Sequence, residues 1–133
     1  MFGKKSENKP SGRIDSLIGA GTQVEGSIRF AGGLRIDGEV VGSVEAAEGA
    51  SSSTLVISEH ARVEGAVCVA HLVTNGMVVG PVTVSESLEM QSKARIVGDV
   101  DYAMIEMHQG AVIEGHLVHR GGKSVELKLA ASN

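Results

Sequence analysis

Five histidines have the widest chemical reach in this chain: His60, His71, His108, His116 and His119. Imidazoles at a suitable spacing hold zinc or relay a proton. Here no H-E-x-x-H pattern occurs and no ligand-like interval recurs. His116 and His119 lie three apart, a spacing that does not secure one face on a strand and turn. Most of the five read as outward or loop residues. Cys68 is the sole cysteine, which excludes an internal disulfide and a cysteine-based metal cluster; it falls between Val67 and Val69 and reads as outward. Asp37, Glu45, Glu64, Glu89, Asp99, Glu106 and Glu114 alternate with aliphatics, as solvated face residues do. Gly19 and Gly21 precede no helical pattern, so they support no nucleotide loop. The expectation is a non-enzymatic chain with no catalytic residue, no metal and no cofactor.

The elements that carry these residues repeat. Gly26, Gly42, Gly65, Gly80, Gly98 and Gly115 are each followed two positions later by an aliphatic, at glycine intervals of 16, 23, 15, 18 and 17. Two before each glycine stands Val24, Val40, Val63, Val78, Ile96 or Ile113. Four before it is a residue of small size: Thr22, Gly38, Ala61, Gly76, Ala94 or Ala111. A further strand opens most units, as in Leu34/Ile36, Leu55/Ile57, Leu72/Thr74, Leu88/Met90 and Ile105/Met107. Within each piece the period is two, which is strand patterning. The interval of 23 holds "EGASSST", residues 48–54, which reads as an exposed loop.

Three short strands per unit of about 17 residues make a triangular coil, and repeated coils stack about 4.7–4.9 Å apart through parallel pairing. The expected fold is all-β: a single-stranded parallel β-helix of about six coils, a rod on the order of 30 Å tall. The small residues and glycines mark corners. An antiparallel sandwich would not demand phase-locked repeats, and it normally supplies more turn signals and aromatics.

Composition agrees with thin aliphatic layers. The 133 residues include 18 glycines, two prolines and no tryptophan; Phe2, Phe30 and Tyr102 are the only aromatics. Residues 1–13 carry Lys4, Lys5, Lys9 and Arg13 against Glu7, a side-chain charge of +3, within a chain of net charge −4. The remainder is acidic, which argues against a nucleic-acid surface. No secretory leader and no spanning segment is read in the sequence, so a cytoplasmic protein is expected.

The expected organisation is a disordered basic tail at 1–13, a β-helix domain at 14–129 and a short tail at 130–133. Ile14–Ile18 reads as the approach to the fold and a thin N-terminal cap. "KSVELKLAASN" at 123–133 reads as one more strand, with Val125, Leu127 and Leu129 on one side. Few bulky polar residues shield either end of the rod. Ile28 and Phe30 on the first coil, with Val125, Leu127 and Leu129 at the other end, are therefore the candidate polymerisation contacts. At the terminus Met1 and Phe2 supply apolar surface, with Lys4 and Lys5 behind them. That pattern fits weak, reversible contact with an anionic membrane, which many tails on one filament would strengthen. Position 2 is phenylalanine, so the myristoylation pattern is absent.

The tail Met1-Phe2-Gly3-Lys4-Lys5, "LRIDGEVVGSV" (34–44), "STLVISEHARVEGAV" (53–67) and "KARIVGDV" (93–100) together resemble the bactofilins, bacterial polymer-forming cytoskeletal proteins. The resemblance covers about residues 14–120. It implies a right-handed triangular β-helix that polymerises without nucleotide into non-polar filaments, through alternating head-to-head and tail-to-tail contacts. It also implies docking of Met1–Lys5 on the cytoplasmic face of the inner membrane. The expected role is a scaffold for cell-shape or wall-modifying proteins, with no catalytic residues. Several relatives have a phenylalanine near the C-terminal end that seals one contact; none follows Phe30 here, and Val125, Leu127 and Leu129 stand in its place. The alternatives are a non-polymerising β-helical adaptor and, further off, a hexapeptide-like acyltransferase or metal-dependent enzyme. Intervals of 15 to 18 break the strict six-residue subperiod of the acyltransferases.

Overall fold

The computed structural model describes residues 14–47 and 52–120. They wind through six coils of three strands each. The first coil comprises β1 (Ser16–Ile18), β2 (Gln23–Glu25) and β3 (Ile28–Phe30), and the second β4 (Gly33–Ile36), β5 (Glu39–Val41) and β6 (Val44–Ala46). β7 (Thr54–Ile57) and β8 (Arg62–Glu64) begin the third, completed by the first half of β9 (Val67–Thr74). The second half of β9, β10 (Met77–Val79) and the first half of β11 (Val82–Met90) form the fourth. The rest of β11, β12 (Arg95–Val97) and the start of β13 (Val100–Met107) form the fifth. The rest of β13, β14 (Val112–Glu114) and β15 (Leu117–His119) form the sixth.

All pairing between coils is parallel and generates three faces. The second face is an unbroken ladder of β2, β5, β8, β10, β12 and β14. In its inward column Val40, Val63, Val78 and Ile96 are fully buried, while Val24 and Ile113 at the two ends are only partly covered. The first face buries Leu34/Ile36, Leu55/Ile57, Leu72/Thr74 and Leu88/Met90; the third buries Val44, Val67, Val82 and Val100. Strand alternation thus sends one aliphatic set inward on every face, and parallel register aligns these sets into columns.

The uneven repeat has a local cause. The strands keep their lengths in register, and the turn from first to second face varies. It takes two residues at Asp37-Gly38 and Asn75-Gly76, and four at 19–22, 58–61, 91–94 and 108–111. The four-residue turns close with a backbone bond from the last N–H to the first carbonyl, as in Ala94 to Gln91 at 3.0 Å. The bend from third to first face varies too: Ala70 alone makes it in β9, whereas Ser85 and Glu86 share it in β11, where the register shifts.

The glycine at the bend between second and third face cannot vary. Gly98 has φ +146°, and a Cβ there would collide with the Gly80 carbonyl oxygen of the coil below. Gly42, Gly65, Gly80 and Gly115 repeat the arrangement. Only glycine combines a positive φ with so close a backbone approach.

Two sequence expectations need correction. Ser16–Ile18 is not an approach or cap but the first strand of the first coil, paired from Ser16 to Leu34. Residues 48–54 are not wholly an exposed loop. Ser53 is fully buried and its Oγ accepts from the Ala70 N–H at 3.1 Å, while Thr54 is buried and opens β7. Residues 48–51 lie outside the described residues.

Candidate assembly ends and surface clusters

Among the described residues, the first and last coils have a neighbour on one side only. At the first coil Ile18, Val24 and Ile28 line the cross-section and are half-buried. At the last coil Ile105, Ala111 and Ile113 do the same, and Leu117 is 37% exposed where its column partner Val100 is fully buried. Among the described residues the first and last coils therefore present the same kind of surface: the edge of a parallel ladder around a partly covered aliphatic section. Such an edge holds unmatched backbone donors and acceptors and templates further pairing.

Phe30 faces inward and is 9% exposed, packed over the small Ala46 in the next coil; Ile28 is half-buried beside it. Both sit on the terminal coil. Met1, Phe2, Lys4, Lys5, Val125, Leu127 and Leu129 lie outside the described residues.

The last coil has a feature that the sequence reading missed. Met104, Val112 and Val118 are exposed, one on each face, where the coil below carries Ser87, Arg95 and Asp101. Met107 is also exposed. The last described coil thus carries an apolar collar. The signal is present in the sequence at the outward positions once these are aligned by coil, whereas the repeat itself is carried by the inward ones.

Charged residues elsewhere are mostly tied to near neighbours. Arg35 Nε meets Asp37 Oδ1 at 2.8 Å and Arg62 Nε meets Glu64 Oε2 at 2.6 Å, each two residues along the chain. The Ser58 hydroxyl, followed by Arg35, holds the Asp37 carboxyl below the usual carboxylate range. Asp99 is held low chiefly by the His116 backbone N–H at 3.0 Å, then by the His116 ring at 3.2 Å. Arg35, Asp37, Ser58 and His60 line an open groove together with Val56, Ile57 and Val73. Cys68 is exposed, as expected.

The histidines divide. His60, His108 and His116 are exposed. His119 is half-buried and occupies the inward column above Tyr102, because it continues the alternation that points Leu117 inward. Register also gathers three groups that read separately in the sequence. Glu89 and Glu106 are paired across β11 and β13, and His108 reaches both carboxylates.

Stacked parallel coils with regular sections define a β-solenoid, an architecture built by repetition. Residues 16–118 match the family model described as "Bactofilin: Polymer-forming cytoskeletal". The chain belongs to the bactofilin family, whose members are structural rather than catalytic. It is 26% identical over 112 residues to Bactofilin BacP of Myxococcus xanthus, an alignment covering 84% of this chain and 45% of that protein. The chain therefore spans about half the length of this curated relative. Comparison with solved structures finds no match.

Proposed function

We propose that this chain polymerises end to end without nucleotide into non-polar filaments that lie on the cytoplasmic face of the inner membrane and gather cell-shape or wall-modifying proteins. The observation that carries the reading is the change along single inward columns. Val100 is fully buried and Leu117, one coil on, is 37% exposed. Another copy at each end would cover these sections. Alternating head-to-head and tail-to-tail contacts would pair like surfaces about two-fold axes and cancel polarity along the filament. Family membership supports self-association, and the tail Met1–Lys5 supplies the membrane contact in this reading.

Negative-stain imaging of the full-length chain, purified without nucleotide, tests it. Long filaments are expected, and Leu117→Arg should reduce them to short oligomers by placing a charge in the end section. Compact particles from the unsubstituted chain would favour a β-helical adaptor instead.

A further inference from the structure

We propose that Glu89, Glu106 and His108 form a binding site for a divalent cation of the zinc class, which fastens the sixth coil to the fifth. The site lies within one chain and is independent of assembly. Glu89 and Glu106 are in register on neighbouring parallel strands, held by the flanking pairs Leu88 with Ile105 and Met90 with Met107. Like charges directly opposite one another destabilise a sheet, so the pair calls for a counter-charge. His108 stands at the next turn with Nε2 3.3 Å from Glu89 Oε2 and 3.2 Å from Glu106 Oε2. One ligand atom from each of the three residues lies within 4.8 Å of the others.

These separations suit a metal as well as they suit a proton. Bonds of about 2.0–2.1 Å around a tetrahedral zinc place adjacent donors roughly 3.3 Å apart. The imidazole is positioned by the fold, because the His108 N–H donates to the Met90 carbonyl at 2.8 Å and its carbonyl accepts from Ala111 N–H at 3.1 Å. Two carboxylates match the charge of a divalent ion. The imidazole selects a borderline first-row cation over magnesium or calcium, which favour all-oxygen shells. Side-chain exposures of 35%, 69% and 41% for Glu89, Glu106 and His108 leave an entry path and room for a water ligand.

Calorimetric titration of zinc chloride into the chelator-stripped full-length chain tests the proposal, with a thermal melt alongside. The expected result is one saturable site per chain and a melting temperature raised by zinc but not by magnesium. Glu106→Gln and His108→Gln should each weaken binding at least roughly tenfold and abolish the thermal shift. His116→Gln, at a separate His–Asp contact, should leave both unchanged. No saturable binding overturns the site, as does binding that survives both substitutions or is lost with His116→Gln.

Discussion

Tyr102 and His119 stand one above the other in the same inward column, with ring centroids 5.4 Å apart and ring planes at 64°. They are chemically unequal neighbours. Tyr102 is 1% exposed and continues the column Phe30, Ala46, Val69, Val84 beneath His119. His119 Nε2 meets the Ala103 carbonyl at 3.0 Å, and its buried Nδ1 has no hydrogen-bond partner among the described residues. Tyr102→Ala should lower the unfolding free energy by about 3–5 kcal/mol, as loss of a large buried side chain does. His119→Ala should cost about 1 kcal/mol, since a single hydrogen bond is lost and an unpartnered nitrogen goes with it. Urea titration at one fixed chain concentration, because assembly shifts apparent stability, reads both. Equal losses would show that the last coil is as firmly packed as the fifth.

The glycine bend gives a sharper contrast. Gly98→Ala must place a Cβ against the Gly80 carbonyl at φ +146°. A loss of more than about 2 kcal/mol is expected, from strain and steric conflict together. Gly19→Ala meets nothing within 4 Å and should stay within about 0.5 kcal/mol of the unsubstituted chain. Thermal melts of the two variants check this; a tolerated alanine at 98 would mean that neighbouring coils can move apart.

How much of this was readable in advance follows from what repeats. Each inward column is written into the chain at a spacing of about one coil, so Val24 to Ile113 and the glycine series announce the fold directly. The turn lengths needed the structure: Gly38 and Gly76 read in the sequence only as small corner residues, and the fold shows them in two-residue turns against backbone of the coil below. Ser53 misled the reading, since a serine in a polar run looks solvated, and only the fold shows its hydroxyl accepting from a buried amide. His119 is legible as an inward residue only through the alternation that Leu117 sets. The pair Glu89 and Glu106 required register: alone, each is an ordinary face carboxylate. The terminal contacts at Val125, Leu127 and Leu129 and the membrane residues Met1, Phe2, Lys4 and Lys5 rest on the sequence and family likeness.

Asp37 predicts an acid response. Its carboxyl is held low by Ser58 and then Arg35, so the folded state favours the ionised form. Stability from this group is complete above the unfolded aspartate value of about 3.9 and is lost as pH falls through the lower folded value. Asp37→Asn removes it. The unsubstituted chain should exceed the variant in melting temperature near neutrality, and the gap should close as the pH drops below that range. A gap that persists unchanged at the acid end would assign the difference to something other than ionisation.

Membrane contact, if it rests on Met1–Lys5, should depend on assembly as well as on the tail. Burial of Met1 and Phe2 is worth up to roughly 1.5–3 kcal/mol each, and each lysine near an anionic surface about 1 kcal/mol. A single tail therefore binds reversibly, and a filament presenting many tails gains about a hundredfold or more by avidity. Co-sedimentation with anionic liposomes separates the two contributions. Deleting residues 1–5 should release the chain while filaments persist. Leu117→Arg should keep the tail, shorten the assemblies and weaken binding about a hundredfold. Equal binding by the deletion variant would remove the tail from the contact, and equal binding by Leu117→Arg despite shortened assemblies would show that one tail suffices.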